Sequence, residues 1–316
     1  MATVSTQPSA VARLGAQSPP TVTSEVQPKN FFIFGQGISF SLSPVIHGAA
    51  FKYHSLPHTY RILQTHTVDE LAHLILSPDF GGASVTMPHK LSIGKFCSSV
   101  SSHAKIIGAI NTLIVSSPNP RSSKQSIKGD NTDWSGLVAC LKSKGSEVIG
   151  HATTGLVIGA GGASRAALYA LYQLGIQNIL LVNRTRSVAE KIAEDYSSLF
   201  QITVIPSLAE VSEAQRPDII VSTIPADKTS IEYFPESIFG GERGVCIDMA
   251  YKPRETPLLK AAFKHEGWAT VTGVEVLLEQ AVDQSQLWLG LPAPREFMVG
   301  ELERADAKKR AEIIEG

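Results

Sequence analysis

The sequence is poor in cysteine, in net charge and in long apolar runs. Its three cysteines are far apart and odd in number, which argues against a disulfide framework and fits no metal-site spacing. The formal net charge is −1, so neither nucleic acid nor an anionic membrane is an expected partner. No apolar run is long enough to span a bilayer. We therefore expect a globular protein of a reducing, cytoplasmic compartment, without a metal.

The length of 316 residues favours two domains. Residues 1–29 are rich in Ser, Thr, Pro, Gln and Ala and lack the apolar core of a secretory signal. We expect a disordered tail there. A transit peptide is the alternative, which a single arginine, Arg13, supports poorly. The sequence is compatible with a monomer or a homodimer.

The most informative pattern lies in residues 155–186, TGLVIGAGGASRAALYALYQLGIQNILLVNRTR. An apolar run, a glycine cluster, apolar residues at helical spacing and a second apolar run follow one another. This order predicts a strand, a tight turn, a helix and a strand. Gly159 permits the turn, and Gly161 leaves the backbone open to a pyrophosphate at the helix N-terminus. The unit predicts dinucleotide binding, although Ser164 replaces the usual third glycine.

The residues after the second strand bear on the choice of dinucleotide. Proteins that bind NAD usually carry an acidic residue about 20 positions after the first glycine, where it contacts the ribose hydroxyls. This chain has Asn183, Arg184, Thr185 and Arg186 there. Guanidinium groups attract the 2′-phosphate of NADP, so we expect NADP, with NAD as the alternative. The non-functional alternative is a turn that only packs a helix on a sheet, with the arginines in solvent.

A polar turn follows the first predicted strand, residues 30–35. It carries Ser41 and Ser43, and we expect a helix to begin at Pro44 with Ser43 as its N-cap. Small hydroxyls at such a junction either cap the helix or bind a polyol or carboxylate. The local sequence leaves both possibilities open.

A second polar loop follows the predicted strand at residues 83–86. Pro88 ends this strand and leaves Thr86, His89 and Lys90 in a fixed loop at its carboxyl end. Open α/β sheets bind ligands at that end. Lys90 is therefore a candidate for chemistry, with a surface lysine as the alternative, whereas His89 is expected to be structural.

Two more polar residues of the first half need partners. Asn111 interrupts an apolar run, so its amide must bond either to the backbone or to a ligand. Asp133 precedes a helix predicted at residues 134–142, and it either caps this helix or faces a site.

The second half adds polar residues just after predicted strands. Thr223 and Tyr251 lie on the ligand side of such a sheet. A helix opening at Gly273 carries Gln280, and a charged, solvated helix is expected at residues 301–312.

Taken in order, the motifs SLSP, SVTMPHK, GAINT, GDNTDW, GAGGASRA, NRT, YKPRETPLL and LLEQA resemble those of shikimate dehydrogenases. The sequence is most similar to the fungal quinate/shikimate dehydrogenases and to the matching module of the arom polypeptide. The resemblance implies an α/β fold of two domains with the substrate in the cleft between them. Residues 30–132, completed by C-terminal helices at residues 273–316, would form an α/β substrate domain. Residues 133–272 would form a Rossmann-type NADP domain.

The resemblance also implies roles for individual residues. Lys90 and Asp133 would form the catalytic pair, and Ser41 and Ser43 would bind the substrate carboxylate. The other substrate contacts would be Thr86, Asn111, Tyr251 and Gln280. The cofactor contacts would be Gly159, Ala160, Gly161, Gly162, Ala163, Asn183, Arg184, Thr185, Thr223 and Gly273.

Two departures from the family concern the substrate pocket. Ser84 stands where the family often has Asn, as in the fungal branch, and Ala281 and Ser285 stand where Gly and an aromatic residue are common. They leave the choice between shikimate and quinate open, although the pair Ser41 and Ser43 favours shikimate.

The expected activity is the NADP-dependent, reversible reduction of 3-dehydroshikimate to shikimate, with proton transfer by Lys90 and Asp133. One alternative is a quinate or dual-specificity dehydrogenase that uses NAD or NADP. Another is a homologue that senses the ligand without turnover, against which the presence of both Lys90 and Asp133 argues.

Overall fold

A computed structural model describes residues 26–116 and 125–315, which contain two six-stranded sheets flanked by helices. The predicted α/β class is confirmed. The predicted tail lies outside the described residues except for positions 26–29, which have no regular secondary structure. In the part of the chain that the structure describes, no helix has the length and apolarity needed to cross a membrane.

The first sheet is mixed. Its strands are β1 (Asn30–Gly35), β2 (Thr59–Gln64), β3 (Phe80–Val85), β4 (Ser99–Val100), β5 (Thr112–Ser116) and β6 (Ser126–Asp130). The order is β2-β1-β3-β5-β6-β4. Strand β1 pairs in parallel with β2 and β3, and β5 is antiparallel to β3 and β6. The carboxyl ends of β1 and β3 therefore lie at one edge, where the two polar loops of the sequence follow.

The second sheet is parallel throughout. Its strands are β7 (Thr154–Ile158), β8 (Asn178–Val182), β9 (Ile202–Ile205), β10 (Ile219–Ser222), β11 (Gly244–Asp248) and β12 (Trp268–Val271). The order β12-β11-β10-β7-β8-β9 is that of a doubly wound dinucleotide-binding sheet. All five residues of β7 are buried, as expected for a parallel strand covered on both faces. The order in which successive strands are added reverses between β7 and β10, the point where such sheets bind ligands.

The helices join the two sheets. They are α1 (Ser43–Tyr53), α2 (Ala72–Ile75), α3 (Ser102–Ile107), α4 (Asp133–Lys144), α5 (Ser146–Ile149), α6 (Gly162–Gln173), α7 (Arg186–Tyr196), α8 (Pro257–Ala262), α9 (Gly273–Leu289) and α10 (Arg295–Glu315). Helices α4 and α9 lie in close contact because Gly136 has no side chain. A Cβ there would lie 2.8 Å from the backbone nitrogen of Gln280. This close approach brings the start of α4 and the middle of α9 to one place.

One local prediction was wrong. Ser43 is the first residue of α1, with Leu42 at the N-cap position, because the hydroxyl of Ser41 already accepts from the Ser43 N–H. The charged helix expected at residues 301–312 lies within α10, where Leu302 is buried against α1 while Glu303 and Arg304 are exposed.

Candidate active site

A cavity of about 120 Å³ opens between the carboxyl ends of β3 and β11, the start of α4 and one face of α9. Lys90 and Asp133 are the only charged side chains among the described residues that line it. Eight of the residues to which the sequence analysis gave a catalytic or binding role line this cavity: Ser43, Thr86, Lys90, Asn111, Asp133, Tyr251, Gly273 and Gln280. The fold thus brings together residues up to 237 positions apart, from Ser43 to Gln280.

Lys90 and Asp133 form a buried ion pair at the cavity wall. The Nζ of Lys90 donates to Oδ2 of Asp133 at 2.5 Å, and the two side chains are only 12% and 7% exposed. Asp133 is the first residue of α4 and turns toward Lys90, so it does not cap the helix. The loop that carries Lys90 is anchored by buried His89, whose Nε2 lies 3.0 Å from the hydroxyl of Thr65. The structural role expected for His89 agrees with this contact.

Asn111 is the hub of a hydrogen-bond network that fixes Asp133. Its Nδ2 lies within hydrogen-bond distance of Asp133 Oδ1 (2.9 Å), Thr132 Oγ1 (3.0 Å) and Gln280 Oε1 (3.1 Å). Its Oδ1 accepts from the Thr132 N–H at 2.8 Å. Both oxygens of Asp133 are therefore held. The amide hydrogens of Asn111 have protein acceptors, so a bond to a ligand would require it to exchange one of them.

The hydroxyls of Ser43 and Tyr251 line the cavity, and that of Ser41 lies behind them, outside the lining. The Ser41 hydroxyl donates to Ser43 Oγ at 3.2 Å, beside the N-terminus of α1. Burial raises the pKa of Tyr251, and a hydrogen bond with Ser41 opposes this rise. Neutral hydroxyls at the positive end of a helix dipole suit a carboxylate ligand.

The sequence analysis placed Ser84 in the substrate pocket, but it assigned no role to the two residues that bond to it, Gln284 and Tyr60. Ser84 donates to Gln284 Oε1 at 2.8 Å, and its Oγ lies 2.6 Å from the hydroxyl of Tyr60. Burial raises the pKa of Tyr60. Gln284 could have been found, because it follows Gln280 by four residues and so shares its face of α9. Tyr60 carried no signal, since a tyrosine in a strand is more often a packed aromatic.

A buried carboxylate at the end of β11 was also missed. Asp248 accepts from the backbone N–H of Ala250 at 3.1 Å and thereby shapes the loop that carries Tyr251. Burial raises its pKa to about 6, and the hydrogen bond from the Ala250 N–H opposes this rise. Its side chain is absent from the cavity lining, so its contribution is to hold the loop.

The glycine turn between β7 and α6 is open to a ligand. Gly159 has φ +111°, and a Cβ there would collide with the Thr223 hydroxyl. A Cβ at Gly161 would meet no atom within 4 Å. The first N–H groups of α6 have no acceptor within the helix, so an anion can bind at this open position. Ala160 and Ala163 flank the turn and are partly exposed.

Ser164 explains how the turn is built without its third glycine. Its Oγ accepts from the Gly161 N–H at 3.0 Å and lies 2.6 Å from Thr223 Oγ1. The Thr223 hydroxyl donates in turn to the Ile158 carbonyl. These bonds tie the turn after β7 to the end of β10, the adjacent strand.

The glycine turn touches the loop that carries Lys90. A Cβ at Gly162 would lie 3.0 Å from the Cβ of Lys90 and 3.6 Å from that of Ala109. The candidate dinucleotide site and the ion pair are therefore neighbours. Gly273, at the start of α9, is required by packing, since a Cβ there would lie 2.5 Å from the Met249 carbonyl oxygen.

The two arginines after β8 differ in their surroundings. Arg184 is exposed, and the loop around it is fixed by Asn183, whose Nδ2 donates to the Thr185 carbonyl at 2.9 Å. Arg186 donates through Nε to Glu190 at 2.7 Å, which offsets its charge. Arg184 is thus the better placed guanidinium for a phosphate.

Comparison with known proteins gives matches over most of the chain. Residues 33–113 match a family model described as the shikimate dehydrogenase substrate binding domain, and residues 144–255 match one described as shikimate/quinate 5-dehydrogenase. A pentafunctional AROM polypeptide of Malassezia globosa is 44% identical over 274 residues, which are 84% of this chain and 17% of that protein. A quinate repressor protein of Emericella nidulans is 39% identical over 310 residues, with 86% of this chain and 34% of that protein covered. The chain thus spans only about a sixth to a third of these curated relatives.

A solved structure agrees over its whole length. The shikimate 5-dehydrogenase of Thermus thermophilus, in complex with NADP(H) and shikimate, superimposes with a TM-score of 0.71 at 28% identity. The match covers 88% of this chain and 99% of that one.

Proposed function

Because the chain belongs to the shikimate dehydrogenase family, we propose that it catalyses the NADP-dependent, reversible reduction of 3-dehydroshikimate to shikimate. The observation that carries the proposal is the buried Lys90–Asp133 pair, which lines the cavity and lies against the glycine turn. This arrangement supports the proposal, because a proton donor next to a dinucleotide site suits the reduction of a ketone.

The residues of this chain supply the proton side of the reaction. When bound, the nicotinamide would supply the hydride chemistry at the carbonyl carbon in both directions. Negative charge then develops on the substrate oxygen, so a donor must lie within about 3 Å of it. The Lys90 ammonium gives its proton to this oxygen on reduction and, as an amine, receives it on oxidation. Asp133 orients Lys90 through Oδ2, while Asn111 holds Oδ1.

The residues of the second sheet fit the cofactor. The open space over Gly161 and the first turn of α6 would receive the pyrophosphate. Arg184 would bind the 2′-phosphate, with Asn183 and Thr185 shaping its loop. We accordingly assign residues 133–272 to cofactor binding, and residues 30–132 with the helices of residues 273–316 to substrate binding.

The substrate is proposed to lie with its carboxylate at Ser41 and Ser43 and its reacting carbon near Lys90. Thr86, Tyr251 and Gln280 would contact its hydroxyls from the cavity wall. A location in the cytoplasm and a monomeric or homodimeric state stay predictions from the sequence.

Two alternatives remain distinct from this proposal. The first is a quinate or dual-specificity dehydrogenase, because Ser84, which lines the cavity, stands where the family often has Asn. A ligand sensor without turnover is suggested by the repressor among the relatives. Initial rates with shikimate and quinate, each with NADP and NAD, decide between the proposal and these two alternatives. We expect the highest kcat/KM for shikimate with NADP. A chain that binds shikimate but reduces neither cofactor would refute the enzymatic proposal.

Arg184→Ala should weaken NADP binding by about 10- to 100-fold, since a charge-assisted bond to the 2′-phosphate contributes about 1.5–3 kcal/mol. NAD binding should change less than about twofold, because NAD lacks this phosphate. Calorimetric titration of both cofactors measures the difference. Arg186→Ala is the matched control and should weaken NADP by less than about threefold, because Glu190 already pairs with Arg186. Equal weakening of NADP and NAD by Arg184→Ala would contradict the assignment.

Gly161→Ala should raise the dissociation constant of NADP at least tenfold, because the new methyl group occupies the space proposed for the pyrophosphate. The fold should lose about 1 kcal/mol or less, the difference between Gly and Ala at a helix N-cap. Fluorescence titration and thermal unfolding give the two values. Gly150→Ala also meets open space, far from the turn, and should leave NADP binding unchanged. Unaltered NADP affinity in Gly161→Ala would place the pyrophosphate elsewhere.

A further inference from the structure

Phe40, Tyr251 and Lys252 form a small cluster, of which only Tyr251 lines the cavity. The rings of Phe40 and Tyr251 meet edge to face with centroids 5.6 Å apart. The Nζ of Lys252 lies over the Phe40 ring, 4.8 Å from its centroid. Phe40 immediately precedes Ser41, and Tyr251 lines the cavity. The cluster therefore places an ammonium on the ring that contacts Tyr251 of the cavity lining.

The charges of the cavity do not by themselves balance an anion. Lys90 and Asp133, the charged side chains of the lining, neutralise each other at 2.5 Å. Moving a carboxylate from water to such a place is costly unless a cation or several hydrogen bonds compensate it. The hydroxyls and the α1 dipole compensate part of this cost.

Lys252 is the cation available to compensate the rest of the cost of desolvating the carboxylate. Among the described residues no carboxylate forms an ion pair with it, whereas Arg254, two residues further, pairs with Asp306. The Phe40 ring holds the ammonium by a cation–π contact, which restrains the long side chain without neutralising its charge. The ammonium is thus positioned and still able to attract an anion.

We propose that Lys252 is a substrate-binding residue that recognises the carboxylate of the substrate, with Phe40 as its support. The inference rests on the proposed function, because it takes shikimate or its ketone as the ligand. It adds to the neutral hydroxyls of Ser41 and Ser43 a cation that selects anionic over neutral cyclic polyols.

Lys252→Gln should raise the KM and the dissociation constant of shikimate about fivefold at low ionic strength, the magnitude of a partly exposed ion pair of about 1 kcal/mol. kcat should change less than about twofold, since Lys252 lies outside the cavity lining that contains Lys90 and Asp133. At about 1 M salt the difference should fall below about twofold, because screening shortens the range of the interaction. Phe40→Leu should give a smaller loss, and the double variant should lose less than the sum of the two.

The methyl ester of shikimate is the decisive probe. It keeps the ring hydroxyls and lacks the charge, so Lys252→Gln should bind it as well as the wild type does. Lys260→Gln, an exposed lysine on α8, is the control and should leave both ligands unaffected. Equal weakening of acid and ester, or no weakening of the acid, would overturn the inference. If the wild type binds shikimate without turnover, the same dissociation constants still test Lys252, and only the proposed activity fails.

Discussion

Lys90→Met should lower kcat for shikimate oxidation by about 10²–10⁴-fold, the usual contribution of a positioned proton donor and acceptor. Methionine keeps the length and the apolar stem of the lysine, so the contact with the glycine turn persists. The dissociation constants of NADP and shikimate should therefore change much less than kcat. Stopped-flow measurement of NADPH formation, with calorimetric binding of each ligand, separates chemistry from binding. Turnover of Lys90→Met equal to that of the wild type would show that another group transfers the proton.

Asp133→Asn should lower kcat by about 10²-fold or more and also destabilise the fold by about 3 kcal/mol. The ammonium of Lys90 would lose its charged partner while it stays largely buried. An asparagine amide can also present an N–H₂ group to Asn111 Nδ2, which donates at 2.9 Å in the wild type. Urea unfolding and single-turnover rates measure the two effects.

Asp283→Asn is the matched control for Asp133→Asn. Asp283 is a half-buried carboxylate at the same α4–α9 contact, where it accepts from the Ser135 hydroxyl at 2.5 Å, but it does not line the cavity. The kcat of the Asp283→Asn variant should stay within about twofold of the wild-type value. A comparable loss of kcat in both variants would mean that packing of α4 on α9, and not the Asp133 carboxylate, sets the rate.

The double variant Lys90→Met with Asp133→Asn separates the structural role of the pair from its chemical role. Removing both charges leaves no buried ion unpaired, and such replacements are often neutral for stability. The double variant should therefore recover much of the free energy of unfolding that Asp133→Asn loses. Its kcat should stay as low as that of Lys90→Met. Recovery of activity along with stability would assign the pair to folding alone.

The sequence predicted the parts of the fold that depend on local pattern. Residues 155–186 form β7, α6 and β8 as expected, because the glycine turn and the change in apolar period are both local signals. The polar loops after β1 and β3 were found for the same reason. These loops lie close together because the carboxyl ends of parallel strands meet at one edge of a sheet. Eight of the proposed site residues consequently line one cavity.

The missed parts depend on contacts between distant segments. Gly136 reads as an ordinary helix glycine, and only the fold shows that it admits the backbone of Gln280. The orientation of Asp133 toward Lys90 depends on this contact and on Asn111, so the sequence left capping and a site role equally open. Tyr60 is likewise placed by the pairing of β2 with β1, which brings its hydroxyl to Ser84.

The bare α-carbon of Gly162 against Lys90 couples the two proposed sites mechanically. A methyl group gained at this position would lie 3.0 Å from the Cβ of Lys90, so the lysine stem would have to shift. The same methyl group would stand in the turn proposed for the pyrophosphate. A single codon change there would therefore disturb the proton donor and the cofactor together.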